Sequence, residues 1–253
     1  SYYKPYSEWC EAHHIALTGH PAGSMDIGTL KHFHLPGQDV VWRYLEPFQK
    51  KSLEGEHSTM GKCSSSAKVN YGRARNMNEC FGAYGWEFTW EEMRWLTDWL
   101  LVRGVDLLSP HAFYYSVRGD RRDERPPDVG PNNVWWDRYK PYADYCRRIS
   151  WMNAVGKHIC DTAILATATR LPWRAARVLF EHQRDFNYLD GDTLLSSAQV
   201  TVEGIQVGDM KYRALIIDGA DTLEPGTLDA LKPMIDAGKI AAYKDDAEGI
   251  PVT

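Results

Sequence analysis

Between residues 89 and 104 the apolar positions Met93, Leu96, Trp99 and Leu100 recur at the spacing of one helix face. Thr89 and Glu92 frame its start as a capping box and Arg103-Gly104 supplies a stop, so an amphipathic helix is expected there. The run 105–109 then reads as a buried strand. Upstream, Tyr6, Trp9 and Cys10 sit at helical spacing within 4–14, and a strand is expected at 15–18. It opens into the breaker cluster 19–23 and then a long loop expected to hold His32, His34, Pro36, Gly37 and Asp39. A further helix near 60–71 leads to a strand ending at Glu79. This order of strand, loop, helix and strand implies parallel pairing through right-handed crossovers. The mixed-charge run 118–127 reads as a long solvated loop, and 134–153 as a helix rich in Trp and Tyr.

Beyond residue 154 the pattern changes. Strands are expected at 158–166, 213–218 and 239–243, with helices from Pro172 to about Arg184, at 192–199, and at 227–237 closed by Gly238. The alternating run 200–207 turns at Glu203-Gly204 and reads as a hairpin. Nine of the ten tryptophans precede residue 155, which supports dividing the chain into 1–154 and 155–253. The fold class is α/β: three strand-helix units, then a flavodoxin-like α/β layer.

Composition removes several classes. At 253 residues with 43% hydrophobic and 25% charged positions, the chain has the make-up of a globular protein with a sizeable core. A net charge of -5, with no long Lys/Arg run, argues against nucleic-acid binding. No apolar run approaches the roughly 20 residues that span a bilayer, so no membrane partner is expected. Five scattered cysteines, Cys10, Cys63, Cys80, Cys146 and Cys160, form neither a disulfide framework nor a Cys-x-x-Cys knuckle. A reducing, cytoplasmic setting is the default, with a secreted or periplasmic one if a segment precedes Ser1.

Candidate chemistry concentrates where strands are expected to end. Asn78-Glu79 lies at the close of a strand, before a loop in which Tyr84 and Trp86 offer flat apolar faces. Glu79 there reads as a reactive carboxylate or as an ordinary loop charge. Asp39 is a second carboxylate or a helix N-cap. His20 and His111 offer a donor and an acceptor each, or fill structural roles. Tyr114, Trp42 and Trp86 are candidate stacking platforms, whereas Trp95 and Trp99 belong to the packed helix stripe. His32-x-His34 has no third ligand at a telling spacing, so no metal is expected. No Gly-x-Ser-x-Gly, Gly-x-Gly-x-x-Gly or phosphate-loop pattern occurs, and no cofactor is expected. Cys160 lacks the Gly-flanked elbow of a glutaminase nucleophile.

With these residues in place, the chain resembles the C-terminal part of a TIM-barrel glycoside hydrolase of the clan A type, family 2-like or rhamnosidase-like. The stretches 15–21, 78–86 and 105–116 and the Trp-rich helix carry the resemblance. The second region, through 186–190, the hairpin and 212–218, is similar to the amidotransferase-like domain that follows the barrel in such enzymes. The resemblance implies a carbohydrate substrate and two carboxyl groups. It makes the three strand-helix units barrel strands six to eight, so Glu79 on strand seven becomes the nucleophile. Its acid/base then belongs to strand four, outside the chain, although an Asn-Glu dipeptide itself is the usual mark of the acid/base. His20, Asp39, Trp42, Asn78, Trp86, His111 and Tyr114 are the expected sugar contacts. Open strand edges invite a second copy of the chain or a missing N-terminal barrel half, and the isolated chain is expected to turn over little substrate. The rival expectation is a non-catalytic carbohydrate-binding or scaffold protein.

Overall fold

The computed structural model describes residues 2–219 and 223–243; residues 1, 220–222 and 244–253 lie outside the described residues. Helix α1 (Tyr3–Ala12) precedes a two-residue strand β1 (Thr18–Gly19), shorter than the strand expected at 15–18. A short helix α2 (Ile27–Leu30), capped by Asp26, then leads into strand β2 (Leu35–Val40). Here the sequence reading needs correction, because 35–40 is not loop. Pro36, Gly37 and Asp39 are poor strand formers, yet β2 pairs in parallel with β1 on one side and with β3 (Met77–Cys80) on the other. Strand β4 (Leu107–Pro110) completes the order β1-β2-β3-β4, so the first region holds four parallel strands where three were expected.

Helices α3 (Met60–Asn70) and α4 (Trp90–Leu101) cross over between β2, β3 and β4, and α5 (Tyr139–Val155) follows β4 and leads to the second region. In α4 the capping box forms as expected, with the Thr89 hydroxyl accepting from the Glu92 N–H and the Glu92 carboxylate accepting from the Thr89 N–H. Such a cap contributes about 1 kcal/mol. Met93, Leu96, Trp99 and Leu100 of its stripe bury against Val40, Leu45, Cys80, Phe81, Phe88 and Val105.

The second region contains β5 (Thr162–Ala166), α6 (Trp173–Glu181) and β6 (Asn187–Asp190). It continues through α7 (Gly191–Ser196), the antiparallel strands β7 (Gln199–Thr201), β8 (Gly204–Val207) and β9 (Met210–Tyr212), then β10 (Ala214–Asp218), α8 (Thr227–Asp236) and β11 (Ile240–Tyr243). Its main sheet is parallel in the order β11-β10-β5-β6, and the expected hairpin gains a third strand in β9. Pro172 is the N-cap of α6 rather than its first residue. The chain is thus a mixed α/β protein with two parallel sheets.

Helix α3 joins the two sheets. Nine of its 11 residues are buried, and it carries no apolar stripe, which is the pattern of a helix covered all round. On one side the Gln38 amide of β2 donates to Cys63 Sγ at 3.1 Å. On the other, Ser66 Oγ accepts the Tyr188 N–H at 2.9 Å and the Asn70 amide donates to the Tyr188 carbonyl at 2.7 Å. Serine and asparagine so satisfy the outer edge of β6, which would otherwise stand open to another strand. The shared core contains Ile27, Leu30, Phe33, Cys63 and Ala67 from the first region and Ile164, Ala166, Phe186 and Tyr188 from the second.

Beneath β3 and β4, Asp106 is fully buried and accepts from Lys68 Nζ at 2.6 Å, Arg75 Nε at 2.9 Å and the Asn76 N–H at 3.0 Å. This carboxylate fixes the entry to β3 against that of β4.

Candidate active site

The carboxyl ends of β1 to β4 bring the candidate residues together. Asp39, Glu79 and Ser109 are successive partners across β2, β3 and β4. Side chains alternate along a strand, so Gly37, Asp39, Met77 and Glu79 share one face and Gln38, Val40, Asn78 and Cys80 the other. The second face is the helix side, as the Gln38 bond to α3 shows. Asn78 is therefore not a neighbour of the Glu79 carboxylate: it is 0% exposed, and neither its Oδ1 nor its Nδ2 has a hydrogen-bond partner. Its expected role as a substrate contact is corrected to a buried position behind the strand. Asp39 lies inside β2, so the N-cap alternative also falls.

Two histidines flank the carboxylates. His111 Nδ1 lies 2.9 Å from Glu79 Oε1, and His111 is seated by its own N–H on the Cys80 carbonyl. Gly82 leaves room for the ring, since a Cβ there would stand 2.9 Å from His111 Nδ1. His20 Nδ1 sits 3.0 Å from the Pro21 carbonyl. A carbonyl only accepts, so Nδ1 carries the proton and Nε2 faces the carboxylates. That nitrogen is 3.6 Å from Asp39 Oδ2 and 3.9 Å from Glu79 Oε2.

Burial, reinforced by the neighbouring Glu79 charge, pushes the Asp39 carboxyl up to about 6, against the opposing pull of His20, His111 and Arg125. Asp39 Oδ1 is shut off from solvent with no hydrogen-bond partner. His20, Asp39 and Glu79 each offer a donor atom within 4.8 Å of the others, an arrangement that also suits a divalent cation. His34 takes no part: its Nδ1 accepts the Leu17 N–H at 2.9 Å and extends the β1–β2 pairing.

The rim is built from the loops after the strands. Trp42 is 53% exposed and its N–H bonds the Gly82 carbonyl, tying the loop after β2 to the loop after β3. Trp42, Arg43, Phe81 and Ala83 all hold positive φ, between 52° and 81°. Backbone so strained persists only where surrounding contacts over-determine it. One such contact is Arg43, which donates to the Tyr84 carbonyl and pairs with Glu46 and Glu92. Trp86 is partly exposed and donates from Nε1 to the Arg122 carbonyl at 2.6 Å. Tyr84 is a core residue instead, 2% exposed, with its hydroxyl on the Leu45 carbonyl.

The Tyr114 hydroxyl lies 3.4 Å from His111 Nε2 and bonds the Glu124 and Arg125 carbonyls. Two residues here escaped the sequence reading. Asp128 is fully buried and accepts the N–H groups of Tyr114, Gly130 and Asn132, which sets the loop carrying Tyr114. Its signal was the Asp-x-Gly-x-Asn pattern typical of side-chain-capped turns. Arg125, whose guanidinium lies 5.5 Å from the Trp42 ring centre, had none beyond its place in a charged run.

The arrangement offers a proton-holding carboxyl beside a second carboxylate, two imidazoles and exposed indole faces. Neither the models of known protein families nor the curated proteins contain a match to this chain.

Proposed function

We propose that this chain carries the catalytic mouth of a glycoside hydrolase, with Glu79 as the nucleophile. The observation that carries the reading is the pairing of Asp39 with Glu79 on one face at the carboxyl ends of parallel strands, with Asp39 pushed up to about 6. A carboxyl raised by burial beside a second carboxyl is suited to giving a proton while its neighbour acts in another role. On this reading Asp39 protonates the leaving oxygen while Glu79, anchored by His111, attacks the anomeric carbon. An Asp39 oxygen lies within 4.8 Å of a Glu79 oxygen. That is nearer the separation of about 5 to 5.5 Å used by retaining enzymes than the wider one of inverting enzymes. On this reading the partner carboxyl lies within the chain.

The four strands correspond on this reading to strands five to eight of a (β/α)8 barrel, whose sites lie at the carboxyl face. The second region corresponds to a flavodoxin-like, amidotransferase-like domain. Trp42 and Trp86 are the sugar platforms, with His20 and Tyr114 as hydroxyl partners.

The test is turnover of a panel of aryl glycosides by the 253-residue chain and its Glu79→Gln variant. Hydrolysis lost in Glu79→Gln, with release of the leaving group partly restored in Glu79→Ala by azide as the glycosyl azide forms, supports the nucleophile. Sugar binding that survives Glu79→Gln without turnover of any glycoside favours the rival reading, a non-catalytic carbohydrate-binding protein, to which the exposed Trp42 face lends itself.

A further inference from the structure

The segment 156–161 connects α5 to β5 without regular structure and gathers a second set of reactive side chains at the amino ends of β5 and β6. A ring nitrogen of His158, Cys160 Sγ and an Asp185 carboxylate oxygen all lie within 4.8 Å of one another. Local geometry explains the grouping. Strand β5 pairs Ala163 with Asn187, so the connector entering β5 and the segment entering β6 at Asp185 arrive side by side.

His158 Nε2 is shut off from solvent and has no hydrogen-bond partner, while standing 3.5 Å from Asp185 Oδ2. The other oxygen, Asp185 Oδ1, is held by the ammonium of Lys62, whose side chain is 2% exposed. All three donor residues line one cavity of about 1410 Å³.

We propose that His158, Cys160 and Asp185 bind one divalent ion of the zinc class. Zinc takes imidazole nitrogen and carboxylate oxygen at about 2.0–2.2 Å and thiolate at about 2.3 Å, in a tetrahedron. Two such nitrogen and oxygen donors stand roughly 3.3 Å apart at the tetrahedral angle, so the His158–Asp185 edge is already close to that of a loaded site. A thiolate with an imidazole selects zinc or a similar borderline-soft ion over calcium or magnesium. Lys62 is the outer partner that turns Asp185 Oδ2 toward the ion. On binding, the Cys160 thiol loses its proton to solvent as the metal–sulfur bond forms, and the bond it now donates to the Thr162 carbonyl at 3.2 Å is given up. The cavity leaves the fourth position to water. The ion ties the 156–161 connector to Asp185 and, through Lys62, to α3.

Cobalt(II) titration of the whole chain reads the site, because a cobalt–thiolate pair absorbs where a cobalt–carboxylate pair does not. The expected result is a thiolate charge-transfer band saturating at one equivalent, displaced by zinc. Cys160→Ser abolishes it, and His158→Ala or Asp185→Asn weakens affinity by at least about tenfold. Cys146→Ser leaves it unchanged, and the apo melting temperature of Cys160→Ser matches the parent. Zinc raises the melting temperature of the parent but not of Cys160→Ser. Absence of the band, or its survival in Cys160→Ser, overturns the assignment. So does cobalt binding without the band that is lost in His20→Ala, which places the ion at the Asp39–Glu79 cluster.

Discussion

Asp39 and Glu79 face each other as direct partners across β2 and β3, and the charge of Glu79 helps hold the Asp39 carboxyl up at about 6. The same pairing gives the cleft one group that keeps its proton in mildly acidic solution and one that His111 anchors through a 2.9 Å contact.

The first prediction concerns rate against pH. With Asp39 as the proton donor, kcat/KM falls as pH rises through about 6, the value of its carboxyl in the folded chain. Asp39→Asn lowers kcat by about 10²–10⁴-fold on substrates whose leaving group needs a proton. The loss is smaller for nitrophenyl leaving groups, and the alkaline limb disappears. An unchanged limb in Asp39→Asn removes Asp39 from the role.

A second prediction concerns stability. A carboxyl raised from 3.8 to about 6 keeps, in the folded chain, a proton that the unfolded chain has released. The folded state therefore binds more protons between those values, and this group's contribution is full below about 3.8 and is lost as pH rises through about 6. The shift corresponds to at most about 3 kcal/mol. Urea unfolding at pH 4 and pH 7 should show a smaller loss on going to pH 7 in Asp39→Asn than in the parent. Equal losses in the two proteins would contradict the assignment.

Much of this architecture is legible in the sequence where local and tertiary demands agree. The capping box and apolar stripe fix α4, and the buried run 215–218 fixes β10, because the residues that favour the element are also the ones it buries. Strand β2 is illegible for the opposite reason. Gly37 and Asp39 face the cleft, where close approach and chemistry select small and charged residues over β-formers. Asn78 misleads in another way, since its neighbour Glu79 is in the site but alternation turns the two to opposite faces. Helix α3 carries no stripe because both of its sides are covered, a fact that only the second sheet reveals.

Asp106 provides a test of what holds the site's floor. It is fully buried and receives Lys68, Arg75 and the Asn76 N–H together. Removing one member of a buried ionic group strands the others, so Asp106→Ala costs about 3–5 kcal/mol of unfolding free energy. Asp106→Asn keeps the shape and one acceptor and costs less. Denaturant midpoints at constant m-value measure both, and a change under about 1 kcal/mol for Asp106→Ala would mean that solvent takes over the cations.

Gly37 links backbone packing to the geometry of the cleft. A Cβ at this position would stand 2.4 Å from the Gly19 carbonyl oxygen, well inside contact distance, and 3.1 Å from the Met77 methyl. Strand β1 is only two residues long, so it is the element that yields. Gly37→Ala should push β1 from β2 and carry His20, the next residue after Gly19, away from Asp39 Oδ2. The loss expected is about 1–3 kcal/mol of stability, the usual cost of overpacking. Sugar affinity should fall with it, while the His111–Glu79 contact on the far side of β3 persists. Imidazole NMR signals distinguish the cases: the His20 resonance moves and the His111 resonance stays. Equal displacement of both would show that the two flanks of the site move as one body.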